Sequence, residues 1–503
     1  MRPWPWWRRH KTISALLVLA VVAGGLTWWR PWERCGAGMV EADGQCVGLS
    51  LDMTPFSADE TMNDLQQRIA DQNARITEPD FITVVVLNSM APDSTSDSVA
   101  LLNVHHGIMG AITAQQRVND TAVVGSQRPR VKLLLANYGG EARQQAEAVR
   151  QIIDHRDEQR IVAVIGIGQS LAATREAAST LSDHKIAVVT TVASGDEMNR
   201  VPGTGQFIER FYRITPTNTD AANAAVSYLR GRDYRKVMLV RDDNSDDIYA
   251  NSLGDAFRTA YQNGFADSPG LSEAIFTSPS EQLEGQGTNR DIYLQPQFHR
   301  IHTRMCQESP DLVFFAGRGA DLRAFLRAVG QGGACDGLSE FDVLTSDDAP
   351  SLLGGPLPEM QGVKANVYYT SVATADMWKH TGDTTNQDNY EAFAKAFRAT
   401  GLNDDLRDGY AMSHHDALLL SVGAARQVAD VGRNTELVAD WIDLSYTCDS
   451  PLHGATGKLI YTPESHGNPI GKALPIMLLK PDGQVEQKAI AWSTGTPFET
   501  SCR

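Results

Sequence analysis

The stretch Ile161 to Ser194, IVAVIGIGQSLAATREAASTLSDHKIAVVTTVAS, decides how the rest of the chain is read. It opens on the apolar run Ile161 to Ile165, breaks at Gly166 and Gly168, and offers Ser170 as the cap of a helix expected to run to about Asp183. A second apolar run, Ile186 to Val189, ends in small and hydroxyl-bearing residues as far as Ala193 and Ser194. Neither run alternates apolar with polar, the pattern of strands buried on both faces of a parallel sheet. The unit has about the minimum length of a right-handed strand-helix-strand crossover. In open parallel sheets ligands sit beyond the carboxyl ends of the strands, against helix N-termini whose free N–H groups favour anions. Ser170, Ala193 and Ser194 fall at those ends and are the first candidate site residues.

Working outward, the same alternation recurs. Phe81 to Leu87 and Val131 to Ala136 read as buried strands, with helices expected after each, from about Ala100 and from Glu141. Phe211 to Asp220 breaks the rhythm with Pro216 and a cluster of capping residues, and then the pattern restarts. Strands are expected at Lys236 to Val240, Asp311 to Phe315, Phe341 to Leu344 and Val363 to Thr370, with helices at Ala250 to Tyr261, Phe298 to Gln307 and Leu322 to Val329. A long helix is expected from Ala411 to Ala429, and the tail segments Gly454 to Tyr461 and Ala473 to Leu479 read as paired strands. The fold class is therefore α/β, with two Rossmann-like lobes of parallel sheet joined by a multi-strand hinge. The expected division is 80–213 with 369–450 in lobe 1, and 214–368 with 451–503 in lobe 2.

The amino terminus differs from the rest. Residues 1–11 are basic, and Thr12 to Trp29 runs without a charge, long enough to cross a bilayer. Tryptophans flank it on both sides, where an interfacial belt would lie. Ala23, Gly24 and Gly25 make a poor cleavage site, so a retained transmembrane helix is expected rather than a cleaved signal peptide. The chain is then placed in the cell membrane, single-pass, with its C-terminal bulk extracellular. Residues 30–79 form a disulfide loop and a stalk or edge helix with Met62, Leu65 and Ile69 on one face.

The chain carries 45 Lys and Arg against 61 Asp and Glu, and six of those basic residues lie within the first 34, leaving 39 against 60 beyond. Phosphate binding needs a basic face, so nucleic acid is excluded as a partner of the folded part. The six cysteines all follow the apolar segment, as in an oxidising compartment. Local spacing suggests Cys35 with Cys46, Cys306 with Cys335 and Cys448 with Cys502. No Cys-x-x-Cys argues for a metal, and no cofactor is expected.

The succession VVVLNSM, HHGIMGAITAQQRVN, GIGQSLAATREAA, AVVTTVAS, FYRITPTNTDAANAAVSYL, VMLVRDDNSDDIYANSLGDAF, DLVFFAGRGADLRAFLRAV and VLTSDDAPSL resembles the type I periplasmic binding proteins. The branch it is most similar to is the branched-chain amino acid (Leu/Ile/Val) receptors of ABC importers, over roughly Phe81 to Leu479. That resemblance implies a small-molecule, amino acid-like ligand and an ABC permease as partners, and no enzymatic activity. It implies that Ser170, Ala193 and Ser194 hold a ligand carboxylate, while Tyr249 and Asp347 face it from the second lobe, Asp347 pairing with an ammonium. Arg318 stands where better-studied members place an aromatic residue, and offers an alternative partner for an acidic ligand group. The same positions also suit plain helix capping for Ser170, Ser194 and Asp347, and core packing for Tyr249. A sensing or cell-surface ectodomain of this fold, with no transport role, is the alternative function.

The other motifs are weaker. The run Asp242 to Asp247 lacks the glycine and the terminal acid of a calcium loop. Gly166-Ile-Gly168-Gln-Ser-Leu171 has two of the three glycines of a dinucleotide fingerprint. His105-His106 and His414-His415 are adjacent on helices, so the members of each pair point apart.

Overall fold

In a computed structural model the chain is described over residues 35–495, apart from 93–99, 141–143, 266–269, 281, 284–285, 354, 380, 403–405, 429 and 433. The expected membrane helix 12–29 and its basic tail lie outside the described residues. Among the described residues no helix is long and apolar enough to cross a membrane.

Two seven-stranded sheets organise the molecule. The first holds β1 (Met39–Ala42), β2 (Gln45–Ser50), β3 (Phe81–Asn88), β4 (Arg130–Asn137), β5 (Ile161–Gly166), β6 (Ala187–Thr190) and β7 (Phe211–Arg213), in the order β1-β2-β4-β3-β5-β6-β7. The second holds β8 (Val237–Asp242), β9 (Ser272–Phe276), β10 (Leu312–Ala316), β11 (Glu340–Thr345) and β12 (Lys364–Thr370). After the small hairpin β13 (Leu452–Gly454) and β14 (Gly457–Leu459), it is completed by β15 (Ala473–Leu479) and β16 (Val485–Trp492), in the order β16-β15-β12-β11-β10-β8-β9. The five parallel strands of each sheet, β4-β3-β5-β6-β7 and β9-β8-β10-β11-β12, have the same doubly wound order. In that order the connections diverge between β3 and β5 in one sheet and between β8 and β10 in the other, which opens a crevice at the strands' carboxyl ends.

Burial explains the strands that the sequence made plain. Ile82, Val84, Val85, Val86 and Leu87 of β3 and Ile161 to Ile165 of β5 are all fully buried, each apolar side chain contributing about 1.5–3 kcal/mol. Helix Leu101–Asp120 and helix Tyr410–Ala425 cover one face of the first sheet and pack directly against each other. Helix Glu60–Ala74 buries Met62, Leu65 and Ile69 in the same core, so it is an edge helix of the lobe.

Several elements differ from expectation. The loop closed by the Cys35–Cys46 disulfide is a β-hairpin that extends the first sheet antiparallel to β4. β9 lies at a sheet edge with Ile275 exposed, and its mixed polarity hid it within a polar region. Helix Thr384–Ala399 is an additional element, and helix Arg290–Glu308 starts well before Phe298, capped by the Asn289 side chain on the Ile292 N–H. The two tail segments do not pair with each other: β13 pairs with β14, and β15 lies between β12 and β16. The β13–β14 hairpin, expected with the second lobe, packs on the first lobe's helices Thr384–Ala399 and Tyr410–Ala425. The buried Asp416 carboxylate holds it there, accepting from the Ala455 and Thr456 N–H groups and from the Thr456 hydroxyl at 2.7–2.8 Å. The chain thus passes between the sheets after β7, after β12 and again between β14 and β15.

Cys306 bonds Cys335, and Cys448 is also disulfide-bonded; its expected partner Cys502 lies outside the described residues. His302 lies close to Cys306 and Cys335, but their sulfurs are spent in the disulfide and offer no thiolate to a metal.

Candidate functional site

The carboxyl ends of the two sheets face each other, and all six candidate residues meet there. Ser170 follows β5, Ala193 and Ser194 follow β6, Tyr249 follows β8, Arg318 follows β10 and Asp347 follows β11. The turn after β5 is forced into the left-handed region over three consecutive residues, Gly166 (φ +87°), Ile167 (φ +60°) and Gly168 (φ +82°). A β-branched residue there is strained, and such strain persists only where the surroundings over-determine it. At Gly168 a Cβ would lie 2.1 Å from the Tyr138 hydroxyl, so no side chain fits.

Ser170 does not cap the following helix, which spans Ala172–Asp183 with Leu171 at its cap position. Its Oγ instead accepts from the Gly195 N–H at 3.0 Å, tying the β5 and β6 loops together. Arg213, fully buried, donates from one nitrogen to the Ala193 and Gly195 carbonyls, each at 3.0 Å, and fixes the second loop from below. Burial pulls the Arg213 guanidinium down to about 10, against the opposing charges of Asp196, Asp220 and Asp347.

The facing wall is charged. Arg318 donates two hydrogen bonds to the Asp247 carboxylate, at 2.6 and 2.8 Å, and lies 3.6 Å from Asp348. Burial pulls its guanidinium down, but the charges of Asp247 and Asp348 outweigh burial and hold it above its ordinary value. Asp348 also accepts from the Gly319 N–H at 2.7 Å, capping helix Gly319–Gly332 from outside its own segment. The Tyr249 ring stacks under Arg318 at 4.7 Å, and its hydroxyl accepts from the Asp348 N–H at 3.3 Å. Burial pushes Asp347 up to about 6, opposed by a hydrogen bond from the Ser194 hydroxyl.

The two walls touch directly. Ser194 Oγ reaches Asp347 at 3.1 Å, Arg318 donates to the Ser170 carbonyl at 3.3 Å, and the Tyr249 N–H donates to the same carbonyl at 3.1 Å. The Ala172 N–H donates to the Asp246 carbonyl at 3.0 Å. Beside these contacts, a small space bordered by Asn88, Gln169, Asp348 and Tyr410 is about 10 Å³, room for about one water. At these residues the two walls are joined by the chain's own groups. Arg318 is engaged by carboxylates of its own lobe and is not held out to an acidic ligand group. Its partner Asp247 is 71 residues away in sequence, a distance across which no spacing rule speaks. Arg213, Asp247 and Asp348 are site residues that the sequence did not single out.

The paired histidines part as their spacing requires. His106 bonds Asp408 at 2.6 Å and His105 lies 3.0 Å from Asp59, while His414 bonds the Tyr410 carbonyl and His415 bonds Asp416.

No protein-family model matches the chain, and no curated protein matches it in sequence. Solved structures do match its fold. An ABC transporter substrate-binding protein from Desulfitobacterium hafniense in complex with leucine is 17% identical, with a TM-score of 0.58 over 81% of this chain and 100% of that one. The branched-chain amino acid transporter substrate-binding protein LivJ from Streptococcus pneumoniae, in complex with isoleucine, is 16% identical with a TM-score of 0.58 over 82% and 99%. A solute-binding protein of an ABC transporter from Rhodopseudomonas palustris, in complex with p-hydroxybenzoic acid, is 14% identical with a TM-score of 0.58 over 82% and 97%. At this level of identity the likeness is one of architecture: the chain has the two-lobed α/β fold of the type I periplasmic binding proteins.

Proposed function

We propose that the protein is a membrane-anchored, extracytoplasmic solute-binding protein whose lobes part and close on a small polar molecule, an amino acid or a similar zwitterion, for delivery to an ABC permease. The observation that carries this reading is the meeting of Ser194 with Asp347 across the lobes, beside the Ser170 hydroxyl tied to the same loop through the Gly195 N–H. Hydroxyls and the N-terminus of helix Ala172–Asp183 suit a carboxylate. Asp247, Asp347 and Asp348 outnumber Arg318, so the opposite wall suits an ammonium. The neighbouring structures named above hold leucine, isoleucine and p-hydroxybenzoic acid. Because the walls touch, entry requires separation of the lobes, and the ligand's charges then replace the Ser194–Asp347 contact.

A second reading, a sensing or cell-surface ectodomain without a transport role, is favoured by the backbone bonds Tyr249 N–H to Ser170 and Ala172 N–H to Asp246, which join the lobes directly. A thermal-shift screen of the full chain against amino acids, small anions and sugars separates these ideas. An amino acid at a hundredfold excess over its Kd should stabilise the chain by about 2.7 kcal/mol. Stabilisation by sugars alone would remove the zwitterion assignment, and silence to every solute would leave only a cell-surface ectodomain that neither delivers nor senses them.

A further inference from the structure

We propose a second small-molecule site, for an organic anion with a flat apolar body, in the cavity where the first lobe's helix Thr384–Ala399 and its β13–β14 hairpin meet β16 of the second sheet. The cavity has a volume of about 480 Å³, ample for a drug-sized molecule, and shares no lining residue with the inter-lobe junction. Trp378 and Trp492 supply aromatic walls and Ile490 adds apolar surface.

The polar groups set the charge. Lys472 is buried, and its ammonium donates to the Thr456 carbonyl at 2.7 Å and hydroxyl at 2.9 Å, which uses two of its three N–H donors. Burial pulls that ammonium down to about 8, so an adjacent anion would restore it. Lys458 also lines the cavity and has no ion-pair partner among the described residues. The acid of the wall, Asp383, is already engaged, accepting from the Asn386 backbone at 3.0 Å and side-chain amide at 2.8 Å. Since the walls come from both lobes, occupancy would also brace one lobe against the other.

Calorimetric titration of the full chain with 2-naphthoate, and with the neutral 2-naphthamide, tests the site. Saturable one-to-one binding of naphthoate is expected, weaker by about tenfold or more for naphthamide and for Lys458→Glu, the worth of one charge-assisted hydrogen bond. Trp492→Leu should weaken both ligands. Lys458 and Trp492 are partly exposed, so both variants should melt with the wild-type chain. Ser194→Ala should leave naphthoate binding unchanged. Absence of binding, equal binding of the neutral amide, or a loss in Ser194→Ala equal to that in Lys458→Glu would overturn the proposal. The last outcome would place the molecule in the inter-lobe junction. A failure of every amino acid to bind that junction would leave this site standing.

Discussion

Ser194 and Asp347, 153 residues apart in sequence, meet at 3.1 Å across the two lobes, hydroxyl donating to carboxylate. This contact favours the charged form of an acid that burial pushes up, even against it, to about 6. Ser194→Ala is therefore expected to move the Asp347 titration to still higher pH, followed by carboxyl carbon NMR. An unchanged titration midpoint would mean that the two walls do not touch in solution.

Arg318 is the cation between two buried carboxylates, Asp247 and Asp348. Removing one partner of such a cluster leaves uncompensated charge, so Arg318→Ala should lower stability by about 3–5 kcal/mol in urea unfolding at neutral pH. Arg318→Lys should recover only part of the loss, because an ammonium cannot make the paired contacts of a planar guanidinium with Asp247. A fully stable Arg318→Ala chain would show the cluster to be solvated.

Asp242 has one buried oxygen satisfied by the Asn244 and Ser278 N–H groups, at 3.0 and 2.9 Å, and the other without a partner among the described residues. Burial, with the charges of Asp321 and Asp247, pushes its carboxyl up to about 7. An acid whose pKa is raised on folding binds its proton more tightly in the folded state. Its contribution is greatest at acid pH and is lost as pH rises from about 4 to about 7. Asp242→Asn keeps the oxygen that accepts both N–H groups and removes the charge. The stability of this variant relative to wild type should rise across that window by on the order of 2 kcal/mol or more, at about 1.4 kcal/mol per pKa unit. A difference that is flat with pH would contradict the raised value.

Gly110 marks the closest approach of the two long helices over the first sheet. A Cβ there would lie 2.0 Å from the Ala411 carbonyl oxygen. In an exposed helix Gly→Ala stabilises by about 1 kcal/mol, but here the added methyl must force backbone apart, so Gly110→Ala should cost about 1–3 kcal/mol or more. Thermal or urea unfolding gives the sign directly.

The family resemblance pointed to Tyr249, Arg318 and Asp347; the sequence by itself determined the parallel strands, their alternation with helices, and the positions of Ser170, Ala193 and Ser194 beyond strand ends. It could do so because each rests on local periodicity: a strand buried on both faces must be continuously apolar, and the residues just past it must fall at the sheet's carboxyl edge. It could not reveal β9 or the β1–β2 hairpin as sheet members, since edge strands are half solvated and lose that signal. Nor could it place β13 and β14, whose lobe is decided by hydrogen bonds from a 455–456 turn to Asp416. Only the tertiary structure decided that Asp247 holds Arg318 and that Ser194 meets Asp347. Those outcomes depend on how two separately folded sheets come together, and a buried charge is neutralised by whichever opposite charge that packing brings within reach.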